Sequence, residues 1–173
     1  MDLQKSLILV ATTGLIATPA VAGDMTVTVE IPRMRVAEYH NPYVAIWIED
    51  SAGKVASTLD VWYEVDKRGG EGTKWLADMR TWWRRAGRSM KMPANGISGP
   101  TQAPGKYTLK FTEGRTPLRN LAPGNYKLRV EAAREVGGRE VLTIPFKWPA
   151  SGSVSGSAKG TSELGTVTLS GKS

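Results

Sequence analysis

The chain of 173 residues carries 23 Lys and Arg against 16 Asp and Glu, for a formal charge of +7 and a pI near 9.8. Cysteine is absent, which excludes disulfides, thiol nucleophiles, iron–sulfur clusters and haem held through a Cys-x-x-Cys-His motif. Six Trp against two Phe is an unusual aromatic balance, and Trp offers a broad stacking face with one N–H donor.

Lys5 opens a short basic stretch, residues 7–17 are apolar, and Ala20-Val21-Ala22 has the small-x-small pattern of a secretory cleavage site. Residues 1–22 are read as a signal peptide cleaved after Ala22, and 23–173 as a single exported, periplasmic domain. The apolar run falls short of the ~20 residues that a spanning helix needs, so no transmembrane helix is expected in the mature chain. Removing Lys5 and Asp2 with the signal leaves the charge at +7. A basic exported chain meets anionic lipid, phosphorylated cofactors and acidic partners rather than nucleic acid; a simply solvated basic surface is the other reading.

Residues 25–31 alternate and are rich in β-branched side chains, which predicts a strand. Asn41-Pro42 marks a turn, residues 43–48 a second strand, and residues 50–54 a hairpin-type turn. A third strand is predicted over 55–65, with Val55, Leu59, Val61 and Tyr63 on one face, followed by a polar, flexible loop at 67–73. The period then changes. Trp75, Leu76, Met79, Trp82, Trp83 and Ala86 recur at helical spacing, with Arg80, Arg84 and Arg85 opposite, which predicts one amphipathic helix over 74–87. Thr73 is its expected N-cap and Gly87 its stop, and its Trp stripe is expected to pack on the core.

Residues 103–110 and 122–129 repeat the pattern Ala-Pro-Gly-x-Tyr-x-Leu, in which Pro-Gly turns the chain and Tyr-x-Leu starts a strand. This opening resembles immunoglobulin-like modules of secreted bacterial proteins. Gly137-Gly138 turns the chain into a strand over 140–146, with Pro145 favouring an edge position. Residues 151–159 are Gly/Ser-rich and read as a loop or linker, and residues 164–169 as a last strand. The expected fold is all-β: an antiparallel, immunoglobulin-like β-sandwich with one inserted amphipathic helix.

Chemistry-bearing constellations are sparse. His40 is the single histidine and cannot build a multi-His metal site; it reads as a turn-capping residue or as an axial ligand beside a Met such as Met34. Glu30, Glu38, Glu49 and Asp50 do not pair in the manner of a general acid and base. Glu131, Arg134, Glu135, Arg139 and Glu140 cluster around the Gly137-Gly138 turn, either as exposed cross-strand ion pairs or as a partner-docking patch. The one Gly-x-Ser-x-Gly, at 152–156, lies in the low-complexity stretch. No turnover of its own is expected.

The stretch Asn95-Gly96-Ile97-Ser98-Gly99-Pro100-Thr101 resembles the Asp-Gly-x-Ser/Thr-Gly-Ala-Ser/Thr motif on which the bacterial flavin transferase family attaches FMN through a phosphodiester. Asn95 stands where the motif has Asp, and Pro100 where it has Ala. The resemblance implies a flexible exposed loop in which Gly96 and Gly99 allow close approach, Asn95 and Ser98 belong to the recognised motif, and the Thr101 hydroxyl is the attachment point. Residues 42–50, the stripe 75–83, the loop 99–105 and residues 130–140 together resemble the bacterial periplasmic family catalogued as domain of unknown function 2271. Members commonly carry His where this chain has Val136.

These resemblances imply an accessory protein of an extracytosolic electron-transfer system, with the flavin transferase and a PepSY-type membrane reductase as partners and covalent FMN as cofactor. Trp62, Trp82 or Trp83 would stack on the isoalloxazine. Two other readings stay open: a non-catalytic module that scaffolds a membrane partner with Thr101 unmodified, and an iron- or haem-related carrier.

Overall fold

The computed structural model describes residues 23–149 and 152–172; the predicted signal peptide lies outside the described residues. Among the described residues nine strands form two sheets: β1 (Asp24–Ile31), β2 (Tyr43–Asp50), β3 (Val55–Tyr63), β4 (Ser98–Pro100), β5 (Gly105–Thr112), β6 (Gly124–Ala133), β7 (Arg139–Trp148), β8 (Ser153–Lys159) and β9 (Thr166–Lys172). Their orders are β5-β1-β9-β8 and β4-β3-β2-β6-β7. The chain is an all-β sandwich, antiparallel throughout except that β4 runs parallel to β3. Among the described residues no helix is long and apolar enough to cross a membrane.

The alternation of β1 places Met25, Val27, Val29 and Ile31 in the core between the sheets. In β2 the apolar run is continuous because both of its faces are covered. Val44, Ile46 and Ile48 face the inter-sheet core, whereas Tyr43, Ala45 and Trp47 join a second cluster on the outer face of the five-stranded sheet. Leu76, Met79 and Trp82 supply the other half of that second cluster. The molecule therefore has three layers, with residues 68–89 as the third.

The single helix predicted over 74–87 is instead three short pieces. Short 3₁₀ turns lie within Arg68–Asp78, broken by a kink at Gly69 and Gly70, α1 spans Arg80–Arg85, and a further 3₁₀ turn spans Gly87–Ser89. Near three residues per turn, the buried line runs 76, 79, 82 and leaves Trp75 half exposed, at 51%. Thr73 does not cap; its hydroxyl donates to the Gly70 carbonyl at 2.7 Å. The cap of α1 comes from a distant strand. The fully buried Glu131 carboxylate on β6 accepts the Thr81 and Trp82 amides at 3.1 and 2.8 Å and pairs with Arg139 at 2.7 Å. An anion at this end meets unsatisfied N–H groups and the positive end of the helix dipole. Glu131→Gln is expected to cost roughly 2 kcal/mol in chemical denaturation, because charge-assisted bonds become neutral ones.

Three further expectations change. Leu59 faces the inter-sheet core, away from Val61 and Tyr63, because register shifts in the β2–β3 ladder between Ile46 and Trp47 and between Ile48 and Glu49 reset the alternation. The Gly/Ser-rich stretch read as a linker is the edge strand β8, paired with β9 along its length. Its small residues fit a tight approach, since a Cβ on Gly156 would collide with the Ile144 side chain. The Ala-Pro-Gly-x-Tyr repeat opens β5 and β6 as expected, with one added device: each tyrosine hydroxyl donates to the alanine carbonyl four residues back, Tyr107 to Ala103 at 2.7 Å and Tyr126 to Ala122 at 2.6 Å. Pro145 lies on the edge strand β7.

Candidate functional site

One rim of the five-stranded sheet gathers several chain segments. The register sets Tyr43 opposite Ala133 and Val44 opposite Trp62, while parallel β4 brings Pro100 beside Tyr63. The start of β2 and the ends of β3, β4 and β6 therefore share this rim, and the 3₁₀ stretch crosses above it. Between them lies a cavity of about 300 Å³, lined by His40, Tyr43, Glu64, Trp75, Thr101 and Val136 among others. That volume sits at the small end of the ~300–1,000 Å³ typical of small-molecule pockets.

The floor of the cavity is a fixed polar relay. Tyr43 donates to the Gly72 carbonyl at 3.1 Å and to Glu64 at 3.2 Å, and burial pushes its hydroxyl well above the ordinary tyrosine range. It is thus a neutral donor throughout the working pH range. Lys67, 2.7 Å from Glu64, holds that carboxyl below the usual value. At the mouth, His40 contacts Glu38 at 2.8 Å and has Glu135 at 3.7 Å.

Two exposed apolar side chains stand among the polar residues of the lining. Among the described residues the exposed large hydrophobic side chains are Val36, Trp75 and Val136, and two of these three line the cavity. Val136 is also held at φ +51°, in the left-handed region that β-branched residues avoid. Val136→Asn, which tolerates that conformation, is expected to stabilise by about 1 kcal/mol. A thermal melt should show a rise of roughly 2–4 °C for a domain of this size. A fall would mean that contacts of the valine in the cavity outweigh its backbone strain.

Of the motif residues predicted from sequence, Thr101 alone lines the cavity; it is half-buried. Asn95 is exposed, and Gly96 adopts φ +71° in a tight turn closed by the Ile97 and Ser98 amides on the Ala94 carbonyl, at 3.1 and 2.9 Å. Ser98 turns its hydroxyl back to accept the Ala94 amide at 2.9 Å, and Gly99 lies against the Trp62 ring, where an added Cβ would stand 3.6 Å from it. The expectation of a flexible loop is corrected here. Ser98–Pro100 is a strand on β3, secured ahead of it by the Val61 amide on the Ile97 carbonyl at 2.8 Å.

The stacking candidates also change. Trp82 and Trp62 are buried in the two cores, and half-buried Trp83 borders a different cavity beside Arg80, Arg84 and Arg139. The ring that faces the Thr101 cavity is Trp75, which helical spacing assigned to the core; spacing by threes along 76, 79 and 82 is the signal that separates it. Met34 does not join His40 in lining the cavity. The charged cluster near Gly137-Gly138 is largely internal bracing. Arg134 and Glu163, 5% and 3% exposed, pair at 2.8 Å, and the Gly138 amide donates to Glu163 at 2.7 Å. Glu163 had no sequence signal, because its partners stand 25 and 29 positions away.

Among the described residues no group of three or more His, Cys, Asp or Glu is placed to hold a metal ion. No curated protein and no solved structure matches the chain. A family model does match, over residues 24–166, and its span takes in strands β1 to β8 and the whole cavity lining. The chain belongs to the family described as "Predicted periplasmic protein (DUF2271)".

Proposed function

We propose that this protein is an exported, non-enzymatic accessory of an extracytosolic electron-transfer system, carrying FMN on Thr101. The observation that supports this reading most is the meeting of Thr101 and the half-exposed Trp75 indole in one cavity. A hydroxyl at the edge of a pocket and a free aromatic face beside it are the two things a tethered isoalloxazine needs from a protein. His40 adds a polar group at the mouth. The bound flavin would supply one- and two-electron transfer; the chain supplies attachment, orientation and a partly desolvated seat.

Attachment follows the flavin transferase chemistry that the motif resembles. The Thr101 oxygen attacks phosphorus in a flavin pyrophosphate donor, a new P–O bond forms, the P–O–P bond breaks, and the hydroxyl proton leaves with the displaced nucleotide monophosphate. Export with cleavage after Ala22 places the acceptor threonine in the compartment where such a system works. A PepSY-type membrane reductase is the proposed electron donor.

The same geometry also favours a second reading. Because Ser98–Pro100 is fixed on β3, Thr101 is presented by a rigid edge rather than a mobile loop. A binding module that uses the cavity with an unmodified threonine fits that rigidity. Intact-mass measurement of protein exported by cells that contain the transferase separates the two. The carrier reading expects a chain starting at Gly23 and heavier by one FMN less one water, whereas the module reading expects the unmodified mass.

A further inference from the structure

A second concavity lies on the other side of the third layer, against the edge of β3. Strand β4 pairs with β3 at Val61–Tyr63 and stops there. Ahead of that point, residues 55–58 border a groove of about 460 Å³ whose other walls are Arg85–Met90 and the turn at Gly114–Arg119. Among the described residues no strand pairs with this part of β3 on the groove side. An unpaired strand edge offers a row of backbone N–H and C=O groups to any extended chain that fits beside it.

The groove has one sign of charge. Lys54, Arg85, Arg115 and Arg119 line it, and no acidic residue does. The nearby carboxylates are already committed: Glu49 to Arg85, Arg129 and the Trp47 indole; Asp50 to the Ala52 and Lys54 amides; and Glu113 to the Leu121 amide and the Trp148 indole. Lys54, Arg115 and Arg119 make no ion pair among the described residues. Such charges repel a second copy of the same edge, which protects a basic chain from self-pairing. They also select an acidic strand over an apolar or basic one.

We propose that this groove is a docking site for an extended acidic segment of a partner protein, which adds as a strand at the part-exposed Val55 and Ala56 of β3, where the edge is open ahead of the buried Ser57 and Thr58. Backbone bonds to the edge would supply the alignment, and the unpaired cations Lys54, Arg115 and Arg119 the choice of sequence. The first 22 residues carry one acid, Asp2, and are not such a segment.

The test uses the chain from residue 23 and a synthetic decapeptide alternating Glu with Val, titrated by calorimetry. Saturable binding that weakens with salt is expected. Arg115→Glu with Arg119→Glu should lower affinity at least tenfold, with circular dichroism confirming that the fold is retained. Arg80→Glu with Arg84→Glu makes the same change of net charge on a different face and should stay within twofold. A peptide N-methylated at alternate positions should lose binding, because it cannot pair with an edge. Equal losses from both double variants would reduce the effect to overall charge and overturn the site. An unaffected N-methylated peptide would overturn strand addition. Failure to bind peptide, with capture of anionic vesicles that needs Arg115 and Arg119, would assign the groove to a lipid surface instead.

Discussion

Trp82→Ala should remove about 3–5 kcal/mol of stability, a large part of the ~5–15 kcal/mol that a domain of this size has. The ring is fully buried at the centre of the third layer, against Leu76, Met79 and the outer face of the five-stranded sheet. Its Nε1 donates to the Thr58 hydroxyl at 3.3 Å, so truncation leaves a cavity and removes the partner of a buried hydroxyl. The fit is close on the far side too. A Cβ at Gly87 would come within 2.6 Å of the same ring, which is why the chain can turn there only with glycine. Gly87→Ala is therefore a second probe of the same packing, acting by crowding instead of by loss.

The neighbours of Trp82 grade the expectation. Trp83 is half-buried, with its ring centroid 6.2 Å from that of Trp82, and Trp83→Ala should cost less than half as much. Trp75→Ala, at a half-exposed ring, should fall within about 0.5 kcal/mol of the parent. Urea unfolding of the three variants tests the order. Equal losses would mean that the layer does not dock through the line 76, 79, 82. A large loss at Trp75 would mean that its ring supports the fold instead of lining a site.

How far the sequence could lead is visible in particular elements. The alternation of β1 and the uninterrupted run of β2 are direct records of one and two buried faces, and both strands were legible. Strand β8 was not, because its inward residues Val154, Gly156 and Ala158 are small, as the Ile144 contact at Gly156 requires, and their alternation with serine reads as low complexity. The face of Leu59 was lost for another reason: a register shift against β2 is a property of the pair and leaves no mark on one strand. The same holds for α1, whose cap comes from Glu131, 50 positions from Thr81. In the site, Thr101 was legible only through a motif, and the cavity that receives it was not legible at all. Its walls come from four strand ends that meet through sheet register, and its aromatic face depends on a 3₁₀ turn where apolar spacing implied an α-helix.

Thr101→Ala should abolish the flavin adduct completely while leaving stability nearly unchanged. The threonine is half-buried at the end of a short edge strand, and loss of one hydroxyl and one methyl there removes little packing. Parent protein from transferase-containing cells should be yellow, and the colour should survive full denaturation, because a phosphodiester does not depend on the fold. Trp75→Ala should keep the adduct mass and raise flavin fluorescence, since a stacked indole quenches an excited isoalloxazine. Asn95→Asp with Pro100→Ala restores the usual attachment motif. It should raise the modified fraction, because Pro100 restricts the backbone just before Thr101, in a segment already held on β3. The double variant also guards against a false negative: a parent chain that stays unmodified could reflect a slow substrate, but the restored motif removes that excuse. An unmodified mass in the double variant, beside an active transferase that modifies another acceptor in the same cells, would end the carrier reading. The cavity of Thr101 and Trp75 would then stand as the ligand site of a binding module.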